Sequence, residues 1–427
     1  MQRHKTRLRP VVVASLICVF IYGFIFYRRD SPTSLHTINI SNHEHHHLSL
    51  TADQCNSIFP GLTREIELAA SQGPFDLEYD HGRVLNGRVQ DGRLVILRDP
   101  GRRELSREML QRQKASIHQL HQALVTAPEP LPNASFALSI HDKPIHTSFT
   151  YARPVSSDSP RHHFPMPHFS GWSWPLPFIG SLSSAAAAIA DIEARTPFHT
   201  KDPRPVWRGT VWFNNGAGRY PRLRQDLLAA AGNTTWADVQ KLHWETGAHN
   251  ASNALRIEDF CQSRYIIHTD GVAYSGRLQF HQLCESVVLT PPLEWMQHTS
   301  HLIRPVCSST LLGTKPYIPS SMNETWYQNH SPTESNLVFV SPDWSDLEDT
   351  VRWLEEHQDI AAGIARRQRE MFAQKGYLSP AADACYWRAL IRGWSEVAQP
   401  VGAEWEQKGI PFEEFVVLQD SETAVNP

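Results

Sequence analysis

The chain of 427 residues contains no G-x-x-x-x-G-K-[ST], G-x-G-x-x-G or G-x-S-x-G pattern, and its H-E-x-x-H match, His43 to His47, is part of a histidine-rich run. The P-loop, dinucleotide and serine-hydrolase readings therefore lose their usual support. It also has no D-x-D pair for a divalent metal, and none of its six cysteines stands in a C-x-x-C or C-x-x-H spacing, which argues against zinc. Basic charge is not in excess. Forty Lys and Arg stand against 44 Asp and Glu, with a net charge of −4, so no basic stripe announces nucleic acid as a partner. There is no internal repeat of solenoid type, and 41% hydrophobic with 20% charged residues is a globular composition.

Long apolar runs are missing except for one. After Pro10 comes VVVASLICVFIYGFIFY, uncharged and ending at Tyr27, at the short end of what spans a bilayer. Arg3, Lys5, Arg7 and Arg9 precede it and Arg28 and Arg29 follow. The basic excess on the N-terminal side predicts a cytoplasmic tail at 1–9, a transmembrane signal-anchor at 10–29 and a lumenal body. A cleaved signal peptide is the alternative, but no small-x-small site follows. A short span suits an early secretory membrane, Golgi or ER, with the protein a single-pass type II form held in the lipid bilayer. Six N-x-[ST] frames agree, at Asn39, Asn133, Asn233, Asn250, Asn323 and Asn329. So do Cys55, Cys261, Cys284, Cys307 and Cys385, which in an oxidising compartment should largely pair and leave one odd thiol. Residues 30–52, with His45, His46 and His47, read as a solvated stem; a metal there is the lesser reading.

Beyond the stem, Cys55 to Ser71 has helical spacing, and Val89 to Leu97 alternates around Asp91-Gly92, a hairpin turn signal. An amphipathic helix carries Leu105, Met109, Ile117, Leu120 and Leu124, and a strand spans Phe136 to Ile140. Residues 151–180 are rich in proline, histidine and aromatics, either a ligand wall or an irregular packed loop. From Pro205 the texture is α/β: VWRGTVWF, a helix from Pro221 to Ala231, a strand at Leu337 to Val340, a Ser345/Glu348 capping box and a second helix from Ile360 to Phe372. Such alternation predicts a parallel sheet with its ligand at the carboxyl ends of the strands.

The densest signal is CQSRYIIHTDGVAYSGRLQFHQLCESVVL, Cys261 to Leu289. It reads as a strand, a glycine-containing loop and a helix N-terminus headed by Arg277, which together can hold a phosphate. An ordinary turn with a surface arginine would look the same. Arg208 and Arg219 also stand beside glycine or small residues in this half, as a diphosphate site without a metal requires. On residue type alone, Asp142 is an aspartate after a strand, where a turn role is the commoner one.

The ordered set Trp207-Arg208-Gly209-Thr210, Cys261 to Leu289, Val340 to Leu347 and Cys385-Tyr386-Trp387 resembles the CAP10-type glycosyltransferases, glycosyltransferase family 90. That family includes animal protein O-glucosyltransferases and fungal capsule-type xylosyltransferases, and the chain looks like a fungal member. YSGRL followed by SVVL is the most specific part. The resemblance implies a GT-B fold, two Rossmann-like lobes with the active site in the cleft: an N-terminal, acceptor-side lobe at 53–200, a UDP-sugar lobe at 201–380, and a segment at 381–427 whose helix returns to the first lobe. It implies that Val272, Ala273, Tyr274, Ser275, Gly276 and Arg277 grip the uridine diphosphate, with Arg208, Thr210 and Arg219 as further donor contacts. Asp142, in FALSIHDKP, becomes the general base, and Trp172 and Trp174 face the acceptor. Cys261 would bond Cys284 and Cys55 would bond Cys385, leaving Cys307. Gly276 departs from the animal enzymes, which have an aromatic there.

The expected activity is an inverting, metal-independent transfer of xylose or glucose from its UDP form to a hydroxyl of a glycan or protein. No cofactor is expected beyond the donor. The alternative is a catalytically silent, glycan-binding scaffold of the same fold.

Overall fold

Short runs such as Tyr265–Ile267 and Val287–Thr290 are dominated by apolar side chains and buried at every position, as strands between two helical layers must be. They lie in a six-stranded sheet ordered Pro305–Cys307, Leu337–Phe339, Val287–Thr290, Tyr265–Ile267, Val206–Gly209 and Asp238–Lys241. All of its pairings are parallel. Ile266 and Val288 face a layer containing the helix Leu182–Arg195, whereas Tyr265, Ile267, Val287 and Leu289 face the helices Leu223–Ala231, Leu347–Glu356 and Gln358–Arg369. The predicted parallel α/β half is therefore present. The computed structural model describes residues 44–101, 105–155, 162–246, 250–315 and 328–423, all within the single unit Asn42–Pro427.

A second six-stranded sheet is mixed, in the order Ile410–Pro411, Arg93–Arg98, Leu85–Gln90, Ala134–Leu138, Ser148–Thr150 and His163–Pro165. Its central hairpin turns at Asp91 (φ 50°) and Gly92 (φ 74°), the two left-handed residues that a two-residue turn of matching twist needs. The helix Arg107–Val125 packs on this sheet through Ile117, Leu120 and Leu124. A late helix, Pro380–Val397, enters the same core with Tyr386, Trp387 and Trp394. Ser379 caps it by accepting from the Ala382 N–H at 3.2 Å, and Pro380 takes the first turn, where a missing N–H costs nothing. Beyond it, Ala398–Val401 pairs in parallel with Phe75–Glu78 and Ile410–Pro411 pairs antiparallel with the hairpin. Cys55–Cys385 closes a separation of 330 residues and Cys261–Cys284 one of 23. Both are the pairings implied by the resemblance, and Cys307 is buried outside them.

Some expectations change. The part of the stem from residue 44 onward is not a solvated linker. His45 is buried, and the carbonyls of Leu48 and Leu50 accept from the Arg388 guanidinium, so the fold starts before residue 53. The Ser345/Glu348 capping box does not form. Ser345 Oγ donates to Asp343 Oδ1 at 2.7 Å, and Asp346 takes the cap position of the helix Leu347–Glu356, because the nearer carboxylate competes for the hydroxyl. The aromatic stretch after 151 is a packed wall with two short strands, Arg153–Pro154 and His163–Pro165, and it is buried from His163 to Ser170. Segments 1–9 and 10–29, with Asn39 and Asn323, lie outside the described residues. Among the described residues no helix is long and apolar enough to cross a membrane, and the sequons at Asn133, Asn233, Asn250 and Asn329 are all exposed.

The core also sets an acid response. His168, His268, His281 and His298 are buried, and burial holds all four well below the ordinary imidazole range, His298 at about 3. The unfolded chain takes up these protons from about pH 6.5 downward and the folded chain does not. Their stabilisation is therefore present above that pH and lost as pH falls. Asp270 and Asp383, pushed up to about 7 by burial, act with the opposite sign. Four histidines outweigh two carboxyls, so the melting temperature should fall by roughly a few degrees per unit below about pH 6. Calorimetry across that range tests this, and a flat or rising melting temperature would contradict it.

Candidate active site

Three strands of the parallel sheet and one of the mixed sheet stop at a common cavity of about 750 Å³. Gly209 ends the strand Val206–Gly209 and is followed by Thr210. Leu242 and Trp244 follow Asp238–Lys241, and Gly271 to Arg277 follow Tyr265–Ile267. Asp142 follows Ala134–Leu138. The start of the helix Arg107–Val125 adds Arg107, Glu108, Gln111 and Arg112, and the aromatic wall adds His168, Phe169, Trp174 and Phe178. A site at the carboxyl ends of strands is where an open α/β sheet leaves a crevice.

Two deep-set guanidiniums face this cavity, and the charge near them is the Asp270 carboxylate, which acts on Arg224 without forming an ion pair. Arg224 is 5% exposed and donates to backbone carbonyls, Nη1 to Thr210 O at 2.9 Å and Nε to Asp270 O at 3.0 Å. Arg277 donates through Nη1 to Arg208 O. Neither forms an ion pair among the described residues. Burial pulls Arg224 down to about 9, aided by the charge of Arg277, and pulls Arg277 down to about 10. A desolvated cation bonded only to carbonyls is costly until an anion arrives. Thr210 Oγ1 accepts from Trp244 Nε1 at 2.9 Å, which leaves its hydroxyl hydrogen to donate elsewhere.

Across the cavity Asp142 Oδ1 accepts from Arg112 Nη1 at 2.7 Å, and the Asp142 side chain is 45% exposed. Burial works against the Arg112 charge, the Asp142 carboxylate outweighs it, and the guanidinium is held above its ordinary value. It also lies over the Phe169 ring, 5.3 Å from the centroid. One side of the cavity is thus built to receive an anion, while the other presents a carboxylate held in a fixed position.

A family model, Glycosyl transferase family 90, matches residues 88–404. The chain belongs to glycosyl transferase family 90. It is similar to an O-glucosyltransferase rumi homolog of Aedes aegypti, 27% identical over 145 residues, which is 34% of this chain and 29% of that protein. It is also similar to Protein O-glucosyltransferase 1 of Mus musculus, 21% identical over 232 residues, or 44% of this chain and 52% of that protein. The chain spans about half or less of the length of the curated relatives it matches.

Within this family 90 cavity stand eight of the residues singled out from the sequence: Asp142, Trp174, Thr210, Val272, Tyr274, Ser275, Gly276 and Arg277. Others are elsewhere. Ala273 is fully buried in the core beneath the loop. Arg208 donates to Asp238 Oδ2 at 2.8 Å and to the carbonyls of Trp207, Asp238 and Asn253, so its donors are spent on bracing the sheet edge. Arg219 is exposed, and its backbone N–H donates to Glu294 Oε1 at 2.7 Å. From that loop Arg224, five positions on, is the arginine that reaches the cavity. Trp172 is 40% exposed and stacks on His118, with centroids 5.1 Å apart.

Sequence reasoning passed over Arg224, Arg112 and His168. Arg224 carried a signal: it shares the buried face of its helix with Leu227 and Ala231, and a charge on an apolar stripe needs a reason. Arg112 and His168 carried none, because only tertiary packing brings them to the cavity. Trp212 and Phe213 also stand at the cavity, 68% and 47% exposed.

Proposed function

We propose that this protein is an inverting glycosyltransferase that moves xylose or glucose from a UDP-sugar to a hydroxyl of a glycan or protein without a metal. The observation that carries the reading is the pair Arg224 and Arg277, two cavity-facing guanidiniums whose protein partners are backbone carbonyls. A diphosphate leaving group supplies the charge they lack, and they stabilise that charge as it grows during departure. Asp142 is the general base that takes the proton of the attacking hydroxyl. Arg112 keeps the carboxylate turned to the cavity. The exposed Trp212 and Phe213 favour an acceptor with flat apolar faces, such as a sugar ring.

In the same reading the two sheets are the two lobes of a GT-B enzyme, with lobes at 53–200 and 201–380 and the segment 381–427 returning to the first. Residues 10–29 anchor the chain as a type II protein of the Golgi or ER membrane.

A catalytically silent scaffold is the second reading. The Arg112 ion pair favours it, because a guanidinium already occupies one oxygen of the carboxylate. A donor screen decides between them. The body of the protein is incubated with UDP-xylose, UDP-glucose and related donors, with and without glycan acceptors, and UDP release is measured. Release with one donor, raised by an acceptor, is the expected result. No binding and no release with any donor would overturn the enzyme reading.

A further inference from the structure

The imidazole of His168 lies against the backbone of Gly276. A Cβ at Gly276 would stand 2.5 Å from both Cε1 and Nε2 of the ring, so only glycine leaves room for it. The orientation of the ring is fixed from its other side. Ser170 N–H donates to Nδ1 at 3.2 Å and Gln279 Nε2 donates to it at 3.0 Å, with Ser170 Oγ at 2.8 Å. A backbone N–H can only donate, so Nδ1 is the bare nitrogen and the proton sits on Nε2. Among the described residues nothing accepts from that Nε2–H. The ring is 4% exposed, and its open side is the cavity.

Its neighbours say which part of a donor it meets. Arg277 follows Gly276 directly and belongs to the anion side. On the other side the Phe169 ring is 3.9 Å from the imidazole by centroids and lies under Arg112, the partner of Asp142. Between a departing diphosphate and a general base stand the ring being transferred and the attacking hydroxyl, and a group packed on Gly276, next to Arg277, lies on the side of the transferred ring. We propose that the Nε2–H of His168 donates to a hydroxyl oxygen of the transferred sugar, which makes His168 a residue that determines donor specificity. The proposal rests on the UDP-sugar reading above and adds the group that reads the sugar. Burial, then the charges of Arg112 and His298, keep the imidazole neutral, so the donor stays a donor at mildly acidic pH, and acidification gives it no second proton to present. A site built around a donor rejects a sugar lacking the matching hydroxyl far more strongly than one built on shape alone.

The test compares wild type with His168→Phe, which keeps the ring volume and removes the N–H. The donors are the active UDP-sugar and its monodeoxy analogues, with the Kd of UDP measured alongside. For the parent donor His168→Phe should lose about ten- to hundredfold in kcat/KM, while UDP affinity stays within about threefold. One deoxy donor should lose the same factor on wild type and nothing further on the variant. Gly276→Ala, whose methyl must push the ring aside, should lose discrimination against the same deoxy donor relative to its own parent-donor kcat/KM, whatever it does to UDP affinity through the loop it belongs to, and it serves if His168→Phe does not fold. Equal losses for every deoxy donor on both enzymes would reduce His168 to packing, and a fall in UDP affinity parallel to kcat/KM would move its contact to the nucleotide; either result overturns the proposal. Wild type is measured first. If it binds no UDP, the UDP-sugar reading itself has failed, which is a different outcome from a wild type that binds UDP and ignores the deoxy changes.

Discussion

Asp142→Asn should bind UDP as wild type does and transfer sugar about a hundred- to ten-thousandfold more slowly. The substitution isolates the proton transfer. Asparagine keeps an oxygen where Oδ1 accepts from Arg112 Nη1, so Arg112 keeps a partner and the cavity wall keeps its shape. What disappears is the capacity to take a proton from the acceptor. In the proposed reading UDP is held at the other side of the cavity by Arg224 and Arg277, so its affinity should change by no more than a few-fold. The measurements are UDP release under saturating donor and acceptor, and calorimetric titration with UDP. Turnover within about tenfold of wild type would remove Asp142 from the base role. If wild type and variant both bind UDP and neither turns over, the silent scaffold is the better description.

Arg277→Gln should show the opposite pattern, with affinity and rate lost together. One donor removed from a site that meets developing charge costs about a hundred- to a thousandfold in rate. Because the same guanidinium meets the ground-state diphosphate, the Kd of UDP should rise as well. The free protein, however, should be as stable as wild type or more so, since a desolvated cation has been exchanged for a neutral amide. The stabilisation that UDP adds in a melting experiment should collapse, by about 2.7 kcal/mol for a hundredfold weaker Kd under saturating ligand. UDP affinity that ignores Arg277→Gln would place the diphosphate elsewhere.

Much of this molecule could be read from short stretches of chain, because the relevant physics is local. Asp91-Gly92 demands left-handed backbone and obtains it. Val287-Val288-Leu289 has no polar face to turn outward and must be buried on both sides. The cavity lining was legible where it follows directly from a strand end, at Thr210, Val272 and Tyr274 to Arg277. It was illegible where the cavity borrows from far away: Arg112 meets Asp142 from thirty positions upstream, and His168 reaches Gly276 from the wall segment, with Gln279 from the helix after Arg277 setting its tautomer. Arg208 misled because a guanidinium beside glycine looks the same whether it awaits a phosphate or bonds four oxygens of its own protein. Ser345 misled because its pattern was correct and a nearer carboxylate, Asp343, outcompeted the backbone.

The strands after the helix Pro380–Val397 pair with chain made three hundred residues earlier: Ala398–Val401 forms a two-stranded sheet with Phe75–Glu78, Ile410–Pro411 adds the edge of the mixed sheet beside Arg93–Arg98, and Cys385 on the helix closes on Cys55. Synthesis proceeds from one end. At about 5–20 residues per second, Cys55 waits roughly 15–65 s for its partner to be made, and throughout that interval the core around Phe136, Phe149 and Phe164 lacks the tryptophans that cover it. The half of the protein made first is therefore the half finished last. Its exposed aromatic surface during translation is a load on whatever holds nascent chains apart, and any stop codon ahead of residue 398 would cost the first sheet its edge as surely as a mutation within it.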